Sequence, residues 1–170
     1  NVYCDASEKL QPNGGILVRE DWYKEACQAI GSDMTSPSSF IAGCEYIKSK
    51  YSKSIPVQLD VFDTEGNDSV KWLSQYFATP FEDENGNYIY KETLNFLNDC
   101  YKKGLIDDSN FSANSAQIKS KIAQGNVFVS MVTPQDYSQG FISAYNSNVK
   151  YVPLVLRNSK GDDPILQDIR

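Results

Sequence analysis

KETLNFLNDCYKKGLIDDSNFSANSAQIKSKIAQGNVFVSMVTPQDY, residues 91–137, is the stretch whose reading decides the fold. Leu94, Leu97 and Tyr101 recur at helical spacing with Cys100 beside them, which predicts a helix with one apolar face. Gly104 stops that helix as a glycine free to turn left-handed. Asn114 and Gln117 stand as a capping box, and Ile118 and Ile122 line the buried face of the helix they start. Gly125 ends it. Val127 to Met131 is a short, mostly apolar run suited to a buried strand. It leads into Thr133-Pro134-Gln135-Asp136-Tyr137, a polar and aromatic loop. Ligands of open α/β sheets sit beyond the carboxyl ends of strands, which makes this loop a candidate site. An ordinary solvated loop before a helix, expected from about Gln135 with Phe141 and Tyr145 on its face, would read the same way.

The 170 residues suffice for one domain, and 41% of them are hydrophobic, so a core can form. The net charge is −6. Nucleic acid is not an expected partner, because phosphate binding draws on clustered Lys and Arg. No apolar run has the length of a membrane span. The chain contains no histidine, which excludes imidazole-based triads and imidazole zinc sites within it. Cys4, Cys27, Cys44 and Cys100 include no CxxC pair, so no metal cluster and no cofactor is expected. Cys27 and Cys44 fall on neighbouring predicted helices and could pair. Cys44 and Cys100 also lie on apolar faces, where a free thiol packs as a small hydrophobe, and free thiols are the expectation.

Upstream, Gly15-Ile16-Leu17-Val18-Arg19 reads as a strand. Asp21 stands at the N-cap position of a helix whose stripe is Trp22, Ala26 and Ala29, ending at Gly31. Ser36 and Pro37 start a second helix with Phe40, Cys44, Ile47 and Tyr51 on one face. Ile55 to Phe62 reads as a strand, with Pro56 tolerable near its start. After the loop 63–68, a helix carries Val70, Leu73 and Phe77, with Trp72 and Tyr76 as an adjacent row that core packing alone would explain. Asp83 to Asn87 is a turn and Tyr88 to Tyr90 a short hairpin arm. This turn falls short of a calcium loop, since Phe81 would occupy the first ligand position. Val149 to Leu156 is the last strand-like run. Strands alternate with helices, so the class is α/β or α+β with crossover connections.

Three segments together resemble the extracellular solute-binding lipoproteins of bacterial carbohydrate ABC importers, family 1. Gly15-Ile16-Leu17-Val18-Arg19-Glu20-Asp21-Trp22 resembles their G-I-L-I-R-x-D-W segment. Asp83 to Tyr90, with the helix after it and Tyr101-Lys102-Lys103-Gly104-Leu105-Ile106-Asp107, resembles D-x-x-G-x-x-x-Y followed by Y-K-E-G-L-I-D. Ile122 to Val127 resembles the A-x-G-K-V entry into a strand. The resemblance runs from Gly14 to about Leu156. It implies a class II periplasmic-binding-protein fold, an α/β architecture of two lobes around a cleft. Residues 1–170 would then be a single α/β domain, the second lobe of a longer protein, with a mixed sheet flanked by helices and crossover segments near 1–20 and 149–170. The family's D-x-N-G-N-G-x-x-D-E-I-P loop is replaced here by Ser49 to Ser54, so no ion site is implied there. An extracellular location and a lipid anchor follow from the family alone.

The function this implies is binding of a sugar or oligosaccharide in an interlobe cleft, with the importer's membrane subunits as partners and no catalysis. Sugar C–H faces pack on aromatic rings, and sugar hydroxyls pair with amides and carboxylates. The chain has 11 Tyr, 8 Phe and 2 Trp. The ligand-binding residues expected are Asp63, Glu65, Asn67, Trp72, Gln135, Asp136 and Tyr137. Two other classes stay open. A glycosidase would need two carboxylates at a fixed separation, and Asp63 or Glu65 with Asp136 is the one pairing the chain offers. A surface adhesion or partner-binding module would expose an apolar face, and such a face would also drive weak self-association.

Overall fold

A computed structural model describes residues 15–60, 70, 73–74, 77, 83–87, 90–132 and 148–162, with the side chain of Val132 outside that set. Among these residues four strands form one mixed sheet in the order β2-β3-β1-β4. These are β1 Gly15–Arg19, β2 Ile55–Gln58, β3 Val127–Val132 and β4 Tyr151–Leu154. β1 is central and antiparallel to both neighbours, with Leu17 opposite Ser130 on one side and Pro153 on the other. β2 runs parallel to β3, pairing Val57 with Val129 and Gln58 with Ser130. The prolines Pro56 and Pro153 fall on the two outer strands, where a missing N–H interrupts no ladder.

The helices whose bounds are described are α1 Glu20–Ile30, α2 Pro37–Lys50, α3 Lys91–Lys102 and α4 Ser115–Ala123, with a 3₁₀ turn at Asp108–Phe111. Ser36 caps α2 in a reciprocal box with Ser39, and Asn114 caps α4 with Gln117. Each box satisfies amide groups that a helix start leaves without partners. α3 ends in a Schellman motif: Gly104 has φ 65°, its N–H reaches Tyr101 O, and Leu105 N–H reaches Cys100 O. That turn sends Leu105 and Ile106 into the core, at 1% and 2% exposure. Gly43 has a different reason to be glycine, because a Cβ there would collide with the buried side chain of Met34.

The main core joins β1, β2 and β3 to α1, α2 and α3. Ile16, Val18, Val57, Leu59, Val129 and Met131 from the sheet side meet Trp22, Ala26, Phe40, Cys44, Ile47, Phe96 and Cys100 from the helices. Phe96 lies 5.3 Å from Phe40 and 5.1 Å from Phe77, both at tilted ring angles. A second cluster holds Leu17, Val127, Val149 and Tyr151 with Ile118 and Ile122 of α4. Consecutive residues of β1 thus feed different clusters, as the two-residue side-chain period of a strand requires.

Several expectations need correction. The buried row of α3 is Thr93, Phe96 and Cys100, while Leu94 is 51% and Tyr101 46% exposed. Five apolar side chains in eight positions allow two overlapping stripes, and the aromatic contacts of Phe96 select the second. Thr93 completes it because its hydroxyl pairs with Ser74 Oγ at 2.8 Å. Asp21 is not the cap of α1: Arg19 holds that position, and Asp21 lies in the first turn, bonded to the Arg19 guanidinium at 2.7 Å. Ala29 is exposed, so the stripe of α1 is Trp22 and Ala26, with Ile30 partly buried. The strand expected from Ile55 to Phe62 is regular only to Gln58 within the described residues, and the one expected from Val149 to Leu156 spans Tyr151–Leu154. Tyr90 is the N-cap of α3 in helical geometry, and the other two residues of the expected hairpin arm, Tyr88 and Ile89, lie outside the described residues. Cys4, Trp72, Tyr76 and the helix expected from Gln135 lie outside the described residues.

The described cysteines Cys27, Cys44 and Cys100 are free thiols. Burial pushes the Cys44 thiol well above its usual range and Cys100 up to about 12. Cys27 is also raised by burial, but it is only half buried. Because the thiolate is the reactive form, Cys27 should be alkylated before Cys44 and Cys100 at mildly alkaline pH. Peptide mapping of the native protein checks this, and labelling of Cys44 as fast as Cys27 would contradict the burial assigned to it. The corrected face of α3 gives a second expectation. Phe96→Ala should cost about 3–5 kcal/mol in urea unfolding, as buried aromatic truncations do. Leu94→Ala, on the exposed row, should cost well under that, about 1 kcal/mol or less. The reverse ranking would restore the Leu94 stripe as the buried one.

Candidate functional site

Parallel pairing of β2 with β3 decides where a site can form. Neighbouring parallel strands end on the same edge of the sheet, so the carboxyl ends of β2 and β3 share one edge. Leu59 and Asp60 follow β2, and Val132 closes β3. The pairing brings these two strand ends together, and the residues that follow them, 61–69 and 133–147, lie outside the described residues. The seven expected binding residues, Asp63, Glu65, Asn67, Trp72, Gln135, Asp136 and Tyr137, all lie outside the described residues.

What the described residues show at this edge is a buried polar network. Gln58 is fully buried, Asn110 is 1% exposed, and Asp60 is 7% exposed. Asn110 Oδ1 accepts from the Leu59 backbone N–H at 2.8 Å and from Gln58 Nε2 at 3.0 Å. Gln58 Oε1 accepts from Lys121 Nζ at 3.2 Å, and Lys121 also reaches Ser109 Oγ at 2.9 Å. Asp107 accepts from Asn110 Nδ2 at 3.3 Å and from Ser109 Oγ. Burial works against the Asp107 carboxylate, but the Ser109 hydroxyl and the Lys121 charge outweigh it and hold its pKa below the usual value. Ser130, the register partner of Gln58, is 1% exposed, and its hydroxyl makes no hydrogen bond. Sequence reasoning did not single out Gln58, Asn110 or Lys121. A glutamine at the end of an apolar strand, in Val57-Gln58-Leu59, is the signal that was available.

Beside the network an apolar groove of about 290 Å³ opens between Leu59, Val70, Ile106 and the exposed row of α3. Leu94, Tyr101 and Phe111 line it at about half exposure, and the Tyr101 and Phe111 rings meet edge to face at 6.2 Å. A wider groove of about 660 Å³ runs between the start of α2 and α3, with Ser159 at its rim. Among the described residues no group of three or more His, Cys, Asp or Glu side chains could hold a metal ion. The Asp83 carboxylate is occupied by its own turn, accepting from the backbone of Asn87 and Asn85 and from the Asn87 side chain. None of the helices among the described residues is long and apolar enough to cross a membrane.

No family model matches the chain, and no curated protein sequence matches it. Solved structures do. A sugar transporter from Arthrobacter chlorophenolicus A6, with bound laminaribiose, superposes with a TM-score of 0.64 at 14% identity, over 88% of this chain and 38% of that one. The substrate-binding protein FusA of a Streptococcus pneumoniae ABC transporter, in complex with kestose, gives 0.62 at 19% identity, over 92% and 35%. A family 1 extracellular solute-binding protein from Bifidobacterium longum subsp. infantis gives 0.60 at 16% identity, over 85% and 38%. The chain spans well under half the length of each of these three proteins. Its α/β architecture, a mixed sheet flanked by helices, is therefore that of one lobe-sized part of the periplasmic-binding-protein fold found in sugar-transporter solute-binding proteins.

Proposed function

We propose that this chain is the second lobe, residues 1–170, of a two-lobed solute-binding component of a carbohydrate ABC importer. The observation that carries the reading is the shared edge of β2 and β3, within a fold whose solved relatives include proteins holding laminaribiose and kestose. The ligand is a sugar or oligosaccharide held between lobes. Asp63, Glu65 and Asn67 follow β2, Gln135 and Asp136 follow β3, and their carboxylates and amides pair with sugar hydroxyls. Trp72 and Tyr137 supply rings on which the C–H faces of a sugar stack. The protein delivers ligand to the importer's membrane subunits outside the cell, held there by a lipid anchor on a part of the protein beyond this chain. It catalyses no reaction.

Trp72→Ala and Tyr137→Ala in the intact protein should each weaken glycan binding by calorimetry while the melting temperature barely moves. Loss of melting temperature with binding intact per folded molecule would return both rings to the core. A two-lobe receptor closes over its ligand by a hinge, and one lobe alone leaves half the contacts open to competing water. The 170-residue chain by itself should therefore fold and bind laminaribiose or kestose more weakly than micromolar. Tighter binding by the monomeric chain in titration would show a self-contained binding domain and sink the lobe reading.

A further inference from the structure

We propose that Asn110 is a positioning residue for the ligand edge: its side-chain amide takes the place of a neighbouring strand and fixes the carboxyl end of β2. The inference rests on the glycan-binding reading above and adds to it a residue outside the loops that would touch ligand. β2 is outer among the described strands, so alternate backbone N–H groups point away from β3. Two of these are satisfied from beyond the sheet. Val57 N–H donates to Leu105 O at 3.1 Å, and Leu59 N–H donates to Asn110 Oδ1 at 2.8 Å. A backbone carbonyl serves the first, and a side-chain amide oxygen the second.

The orientation of that amide is fixed by its partners. Its oxygen faces two donors, the Leu59 N–H and Gln58 Nε2, and its nitrogen faces two acceptors, the backbone oxygen and Oδ1 of Asp107. A flipped amide would set like against like at all four contacts. Gln58 is drawn into the same lock, since its oxygen accepts from Lys121 of α4. Asn110 thus joins the last residues of β2 to the 3₁₀ turn and, through Gln58, to α4. Binding groups need support that holds them within fractions of an ångström, and the buried Asn110 side chain bonds the backbone at Leu59, just before residues 61–69.

Hydrogen exchange and glycan titration on the intact protein test this, with Val57 as the internal reference because its edge bond uses no Asn110 atom. In Asn110→Leu the Leu59 amide should exchange about tenfold faster relative to Val57 than in the wild type, as loss of one buried hydrogen bond implies. Affinity for laminaribiose, kestose or the glycan an array selects should fall by about the same factor at a temperature where both proteins are folded. Asn110→Asp keeps an acceptor oxygen in place, so the exchange ratio and the affinity should return toward wild type even as a second carboxylate beside Asp107 lowers the melting temperature. Equal acceleration at both amides would reduce Asn110 to a contributor to global stability, and a loosened Leu59 with unchanged affinity would remove its positioning role. If the wild type binds no glycan, the binding reading falls and positioning for ligand falls with it. The exchange ratio then decides separately whether Asn110 holds the strand.

Discussion

An outer strand leaves backbone N–H groups facing away from the sheet, and a buried one cannot leave them unbonded. β2 meets this constraint with Leu105 O at Val57 and Asn110 Oδ1 at Leu59. Much of the remaining structure follows from how those two acceptors are delivered. Both lie in the chain that leaves α3, and that chain can turn back to β2 because Gly104 adopts φ 65° in a Schellman motif. A residue with a Cβ would be strained at that φ, and Lys48 also passes close to the position, with its ammonium on Lys103 O. The turn places Leu105 and Ile106 in the main core before the 3₁₀ helix presents Asn110. One left-handed residue thus links the end of a helix to the edge of a sheet.

The opposite end of the sheet is organised by a charged side chain. Arg19 closes β1 and begins α1 with no break between them. Its guanidinium bonds both carboxylate oxygens of Asp21, donates to Gly125 O at the end of α4, and lies 4.0 Å from the Trp22 ring centroid. Trp22 in turn stacks on Tyr51 at 4.5 Å, joining α1 to the end of α2. Glu20 N–H donates to Lys150 O, which ties the same corner to the approach of β4. The exposed ion pair with Asp21 contributes little by itself. The bidentate fork matters because it orients Arg19 for the carbonyl and the ring, which a lysine would not do.

Features fixed by local chemistry were legible in the sequence. The Asn114–Gln117 capping box, the start of α2 at Ser36 and Pro37, the stop at Gly104, strand β1 and the entry into β3 each depend on residues within a few positions of one another, and periodicity or cap spacing reports them directly. The Gly15 to Trp22 motif was read as a pattern, and the contacts of Arg19 now give its physical reason. Features fixed by contacts distant in sequence were not legible. The buried face of α3 depends on Phe40 and Phe77, more than fifty residues away in the first case, and no window centred on α3 contains Phe40. Asn110 reads as a polar turn residue in Asp107-Asp108-Ser109-Asn110, and only the fold brings it to Leu59, 51 positions earlier. The parallel pairing of β2 and β3 brings their carboxyl ends to one edge, and the loops proposed to carry the site follow those strands in sequence. The polar network beneath that edge was not legible, because polar residues lack the periodic signal that apolar ones carry.

The position of that network bears on how the edge proposed to hold ligand can work. Its buried amides and the Lys121 ammonium find their partners within the frame, so these groups stiffen the strand end. A receptor that closes by a hinge needs a division of labour. Residues that reach toward a ligand must be free to exchange water for hydroxyl groups, while the backbone beneath them holds still through closure. Satisfied buried networks give rigidity and a unique arrangement, because any displacement leaves several polar groups unbonded at once. At the end of β2 the groups at risk are the Leu59 N–H, the Gln58 amide and the Lys121 ammonium together. A small shift of the strand end would therefore break three linked interactions in place of one. The stiffness of the edge thus comes from the coupling of these bonds, and it extends from β2 through Gln58 into α4.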